Sequence, residues 1–434
     1  MKLRKRAVGA IALGVVVAAL ALAGCSSSSP AKSGSKTLDV AYWNYGPEAL
    51  TNQNSYAKGF EAENPGVTVK GIAIAGTNWG EYYANLATLI ASGKKPDNAV
   101  MSSEGVKFLD QNHLILPIND YLKSDPEGKS LLADIAPGLM KSLTVGKDIT
   151  TLPDTWNDMV IYYNTDLFKQ AGIAPPAADW TTDQFEAIAK QLTDKSKGQY
   201  GFAWTGTEVF PGVLPWIANQ NANLVSGDVC KATANSAGVE KAFTFLDGLI
   251  QQGISPVPPS SSEVISDFQN GKIAMFGAGA WPIATFAPAG FTSYDIQLYP
   301  TGSTYKTVVG SGGYPILKSS ANPDLAWKFQ KYVTSAKVQD ALIGTPTNPY
   351  GAIPTLRSTA KKSADAGIPP ANYKLFYGSI DDHPSLTPFP GPAKYTEFES
   401  TVLRYTQLIF GGNETVEQGL DDMQQALSTI VSCK

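Results

Sequence analysis

Histidine and cysteine are nearly missing from this chain, with two and three residues among 434. His113 and His383 sit in loop-like surroundings, and no Cys/His spacing suits zinc, so no metal site is expected. A Gly-x-Ser-x-Gly elbow and a Cys–His pair are both absent, which removes the usual marks of nucleophilic catalysis. The GxGxxG dinucleotide fingerprint is absent too, and no cofactor is expected. A glycosidase needs only two carboxylates, and among 38 acidic residues nothing marks a pair. Beyond the first residues, arginine is confined to Arg357 and Arg404. Phosphate and carboxylate binders use arginine forks, so the scarcity favours an uncharged ligand, although lysine standing in for arginine gives the same count. Charged residues make up 17% of the chain and apolar ones 43%, a globular balance. The first 24 residues carry Lys2, Arg4, Lys5 and Arg6 and no acid, leaving 30 basic against 38 acidic residues elsewhere. Such a chain, without a basic stripe, is not built for nucleic acid.

What is present begins at the N-terminus. A basic start precedes an apolar run from Ala7 to Ala23, short for a membrane span of ~20 residues. It ends in Leu22-Ala23-Gly24-Cys25 followed by four serines, which resembles the bacterial lipobox. That resemblance implies cleavage before Cys25, lipidation of Cys25, and an exported chain anchored to the outer face of the cytoplasmic membrane. Residues 1–24 are then the signal peptide and 25–36 a flexible tether rich in Ser, Pro, Gly and Lys. The remaining cysteines, Cys230 and Cys433, form an even pair in an exported chain, so one disulfide is expected; two free thiols are the alternative.

From Leu38 onward, short apolar runs alternate with amphipathic segments. LDVAYW reads as a strand, the next segment as a helix with Tyr56 and Phe60 on one face, and Val67 to Ile74 as a second strand. Trp79 to Ser92 is a helix, and Ala99-Val100-Met101 a buried strand ending at Ser102-Ser103-Glu104. This alternation predicts an α/β fold with a doubly wound sheet, whose ligands sit beyond the carboxyl ends of strands, here Trp43-Asn44 and Ser103-Glu104. Further on, Val160-Ile161-Tyr162-Tyr163 is a buried strand. Thr181 and Gln184 form a capping box, with Trp180 and Phe185 as the hydrophobic staple of the helix they open. Trp216 and Trp327, at helical spacing among apolar residues, read as core.

Four phrases, in order, are similar to the extracellular solute-binding proteins of sugar ABC importers, the maltose-binding-protein-like family. They are the stretch from Val160 to Ala203 (VIYYNTDLFKQAGIAPP…GFA), FQNGKIAMFGAGAW at Phe268–Trp281, the run from Gly312 to Phe329 (GGYPI…SANPDLAWKF), and PYGAIPTLR at Pro349–Arg357. The resemblance spans Leu38 to about Ile430. It implies a two-lobed type II periplasmic-binding-protein-like fold, each lobe a doubly wound sheet flanked by helices, with a ligand cleft between lobes. Three inter-lobe crossings are expected near 148–153, 288–294 and 333–338. Residues 37–150 plus 292–335 would form the first lobe, and 151–291 plus 336–434 the second. It also implies a monomer that closes on a mono- or oligosaccharide by hinge bending and is met by ABC permease subunits. Glycerol-3-phosphate, its diesters or another polar solute such as a polyamine are alternative cargoes; an exported carbohydrate-active enzyme or adhesin is a remote one.

A sugar needs flat aromatic surfaces against its C–H faces and polar groups around its hydroxyl rim. Trp43, Trp79, Trp156, Trp204, Trp281 and Tyr314 are the candidate surfaces. Asn44, Ser103, Glu104, Asp154, Asn157, Glu208 and Arg357 are the candidate polar contacts, with Gly313 allowing close approach. Some of these have plainer readings: Asp154 as a hinge or cap residue, Glu104 as an ion partner of Lys107, Arg357 as a bridge between lobes.

Overall fold

The computed structural model describes residues 36–432, apart from 343, 346, 347, 350, 351, 366, 368, 377–385 and 390. The expected signal peptide, lipidation at Cys25, nearly all of the tether, His383 and Cys433 lie outside the described residues. Among the described residues no helix is long and apolar enough to cross a membrane.

The first sheet holds β1 (Lys36–Trp43) between β2 (Val67–Ile74) and β3 (Asn98–Ala99), both parallel to it. α1 (Pro47–Glu63) and α2 (Trp79–Ala91) make the crossovers. The register runs from Lys36↔Val67 to Trp43↔Ile74, so Trp43 ends its strand at the carboxyl edge. β1 has neighbours on both sides, which opens a crevice at that edge. Beside it β4 (Met101–Ser102) leads into a single 3-10 turn, Ser103–Gly105.

β5 (Pro153–Asp158) is followed at once by β6 (Val160–Asn164), the centre of a second sheet. There β6 pairs antiparallel with β7 (Met275–Ala278) and β8 (Tyr294–Leu298), while Tyr200 and Ala203 bridge in parallel to Ile273 and Phe276. The second sheet is therefore mixed rather than purely parallel. The capping box is present: α3 (Thr182–Gln191) starts on Thr181, with Gln184 reciprocating, and the Trp180 and Phe185 rings lie 5.5 Å apart. Trp216 and Trp327 are buried. Residues 292–298 are expected in the first lobe. β8 hydrogen-bonds along β6 from Tyr294↔Asn164 to Leu298↔Val160, so the chain returns toward the first sheet after Leu298.

β9 (Thr307–Gly313) joins the two regions, pairing antiparallel with β4 beside the first sheet and with β5 leading into the second. α4 (Leu214–Ala218) and α5 (Ala237–Gln251) lie in the second region, as does the helix Val416–Ser428 (α7), which packs on α5 and on α6 (Tyr395–Phe410). α6 also packs on α2, bringing the C-terminal part of the chain onto the first region. Cys230 is disulfide-bonded. Its loop is held to α7 by Gln424, which accepts from Ala234 N at 2.7 Å and donates to Ala232 O at 3.0 Å.

Candidate functional site

At the carboxyl edge of β1 the aromatic side chains stack into a wall. Trp43 Nε1 donates to Gly76 O at 2.8 Å, which fixes the indole against the turn that opens α2. Its ring lies 4.6 Å from that of Trp79 and 5.7 Å from that of Tyr45, whose side of the wall is open at 56% exposure. Trp79, the first residue of α2, stacks on Tyr83 one turn later at 5.7 Å. Tyr83 is locked in turn: its hydroxyl accepts from Ser102 N and lies 2.9 Å from Ser102 Oγ. Asn44, next to Trp43, is exposed.

Three carboxylates adjoin this wall. Glu104 is 3% exposed in the 3-10 turn after β4, and Ser103 Oγ donates to it at 3.1 Å. Glu208 precedes the short helix Val209–Gly212. Burial first, then the Glu104 charge, pushes its carboxyl up to about 7, partly offset by the Ser261 hydroxyl. Glu399, on the buried stripe of α6, accepts from Gly80 N at 2.6 Å through Oε2 and from the Tyr395 hydroxyl at 3.1 Å through Oε1. Burial pushes it up to about 8; the Gly80 bond opposes, and the Glu208 and Glu104 charges reinforce. Burial also raises Glu104 above the usual carboxylate range. No Lys, Arg or His among the described residues is an ion partner of any of the three, including Lys107. Among the described residues no group of three or more His, Cys, Asp or Glu is placed to hold a metal ion.

The facing side comes from β5, β7 and β9. Asn157 Oδ1 accepts from Ala280 N at 2.8 Å, and the Tyr162 hydroxyl donates to Gly279 O at 2.7 Å. A Cβ on Gly279 would overlap the Trp281 ring and stand 2.7 Å from Asn157 Oδ1, so only glycine lets the Trp281 ring lie this close. Opposite Asn157 on β9 is Gly310, and a Cβ there would meet the Phe210 ring at 3.0 Å. One residue on, Ser311 N donates to Ser103 Oγ at 3.3 Å. β9 thus ties the Asn157–Trp281 side to the Ser103–Glu104 side.

The expected residues divide accordingly. Trp43, Trp79, Ser103, Glu104, Asn157, Glu208 and Trp281 belong to these linked groups. Trp156 does not: it is 1% exposed and its Nε1 donates to Pro354 O at 2.9 Å. Strand alternation is the reason, because neighbours on β5 face opposite ways and Asn157 takes the other side. Asp154 shares the Trp156 face; burial pushes its carboxyl up to about 6 and leaves Oδ1 without a hydrogen-bond partner. Trp204 is core, packed between Phe202 and Phe410. Tyr314 packs edge-on against Tyr56 and Phe329. Gly313 serves packing, since a Cβ would crowd Leu152 O and Thr151. Arg357 is exposed at the start of the helix Arg357–Asp365, which packs on the helix Ala336–Ala341. The residues missed were Tyr83, Phe210, Tyr395 and Glu399. Glu399 had a signal: an acid on the stripe Tyr395, Phe398, Val402, Ile409 of an amphipathic helix.

Residues 47–340 match the description "bacterial extracellular solute-binding protein". The chain belongs to that family. The matched stretch contains Trp79, Ser103, Glu104, Asn157, Glu208 and Trp281, while Trp43 and Glu399 lie outside it. A putative binding protein of Brucella abortus is 25% identical over 287 residues, covering 64% of this chain and 66% of that protein. The multiple sugar-binding protein of Streptococcus mutans is 28% identical over 355 residues, 75% of this chain and 78% of that one. An ABC substrate-binding protein of Listeria monocytogenes, solved in complex with cycloalternan, superposes with a TM-score of 0.79 at 22% identity, covering 91% of this chain and 99% of that one. The fold of this solute-binding protein is therefore the two-lobed type II architecture.

Proposed function

We propose that this protein captures a carbohydrate for an ABC importer, held at the membrane by a lipid on Cys25 and delivering its cargo to a permease. The observation that carries the reading is the pairing of a packed Trp43–Trp79–Tyr83 wall with carboxylates and Asn157 around it. Flat apolar faces match sugar C–H surfaces, and in-plane acceptors match hydroxyls. A hydroxyl donated to a carboxylate contributes about 1.5–3 kcal/mol. Two such bonds and one stacked ring account for micromolar affinity, about −8 kcal/mol, once a largely preformed site limits the ordering cost. The names of the Streptococcus and Listeria proteins point the same way. In this reading the protein catalyses nothing, and ATP is hydrolysed by a separate cytoplasmic subunit.

Three glutamates without a basic partner leave a phosphate no cation to pair with, which sets glycerophosphodiesters aside. The same three, beside tryptophan and tyrosine, favour a cationic cargo such as a polyamine as the second reading. A thermal-shift screen of the full chain against neutral sugars, glycerophosphodiesters and polyamines tests both. A ligand present at 100 times its Kd adds about 2.7 kcal/mol of stability. A shift with neutral sugars supports carbohydrate capture; a shift with polyamines alone replaces it.

A further inference from the structure

Glu399 falls in the stretch expected to complete the second lobe, yet its carboxylate is bonded to Gly80 of α2, in the stretch expected to form the first. α6 packs on α7, whereas Gly80 N, 319 residues earlier in the chain, opens α2. The bond is short, 2.6 Å, and takes an N–H that the helix itself leaves unpaired. The side chain of Asn78 serves a different donor, Glu81 N, so Glu399 is a second cap supplied from across the cleft.

The surroundings of this cap are acidic. On its own helix Glu399 meets the Tyr395 hydroxyl. α2 contributes Gly80 N and, behind Tyr395, the Tyr83 ring at 6.1 Å. The 3-10 turn contributes the Glu104 charge, and the loop before Val209 the Glu208 charge. Among the described residues, none of these elements places a Lys, Arg or His in an ion pair with the three glutamates. Separation of the lobes along the expected boundaries would expose Glu399 to water and move Glu104 away from Glu208 and Glu399. When they meet, burial and like charge both disfavour the ionised carboxylates.

We propose that Glu399 is a proton-gated latch between the lobes: closure docks its carboxyl group on the amino end of α2 and takes up a proton from solvent. The upward shifts of Glu399 and Glu208 agree with that direction. Rising pH then favours the open form, and acid the closed one, before any cargo arrives. The latch rests on the hinge closure of the solute-binding reading, but its test uses no cargo. A silent ligand screen therefore leaves it measurable, and its failure leaves sugar capture standing.

The test is intramolecular energy transfer in the ligand-free full chain, with dyes on cysteines replacing exposed Lys70 in β2 and Gln251 at the end of α5. The pH is varied from 5.5 to 8.5 at constant ionic strength. One proton taken up on closing raises the open-to-closed ratio up to about tenfold per pH unit. Glu399→Gln keeps an oxygen for Gly80 N but cannot ionise, so its profile should lose about one proton of slope. Glu399→Ala should be more open at pH 5.5 than the parent. The proposal is overturned if the parent shows no pH dependence, or if Glu399→Gln keeps the parent's slope.

Discussion

Between pH 5.5 and 8.5 the ligand-free protein should lose stability, opposite to the common behaviour of carboxylate-rich proteins titrated from acid. The cause is a pair of buried glutamates. Glu399 sits at about 8 and Glu208 at about 7 in the folded chain, against 4.5 for an ordinary glutamate. Below 4.5 both folded and unfolded chains are protonated, and the difference has no effect. Above it the unfolded chain releases protons that the folded one keeps. Stability therefore falls as pH rises, until the folded groups also ionise near pH 8. At 1.36 kcal/mol per pH unit, the rise from pH 5.5 to about 8 makes Glu399 alone correspond to about 3 kcal/mol. Part of its shift comes from Glu208, so the two do not add, and about 3–5 kcal/mol is expected for the pair. With an unfolding entropy of ~2.1 cal/mol/K per residue, that lowers Tm by about 4–6 °C. Asp125 and Asp194, held at about 2 by Lys and hydrogen-bond partners, act only in stronger acid and leave this window flat. Calorimetry of the full chain at matched ionic strength makes the measurement, with Glu399→Gln beside it. A Tm that is flat or rises from pH 5.5 to 8.5 refutes the reasoning; a fall that is shallower in Glu399→Gln locates it.

Two further outcomes concern the cleft walls. Trp281→Ala should weaken sugar binding at least tenfold by titration calorimetry, with Tm little changed because the ring is only half-buried; unchanged affinity makes Trp281 structural. Gly391→Ala should weaken the same binding and destabilise the chain by about 1–3 kcal/mol in denaturant unfolding, because a Cβ there would overlap the carbonyl oxygen of Glu104. Parent-like values for Gly391→Ala would show that the Glu104 turn gives way.

Much of the local structure could be read from residues a few places apart. The Thr181–Gln184 capping box, the Trp180–Phe185 staple and the β1–α1–β2 unit depend on contacts within one turn or one crossover. Trp43 and Ser103–Glu104 could be placed because strand ends in a parallel sheet open onto a crevice. Orientation was harder. Residues 153–158 alternate, so Asn157 and Trp156 could not both face the cleft, but which of them faces inward depends on Pro354 and Ala280, each more than 100 residues away. Trp204 and Trp281 were both candidate surfaces in sequence; only the packing of Phe410 closes over the one while Gly279 makes room for the other. Glu399 showed itself in sequence only as an acid on an apolar stripe. Its bond to Gly80 and its company of two other glutamates arise when α6 docks on α2, a contact between parts of the chain that share no local geometry. Local spacing determined the elements and the edge where a ligand could sit. Which side chains line that edge, and what charge they carry, was decided by tertiary packing, because burial and neighbouring charge exist only once distant segments meet.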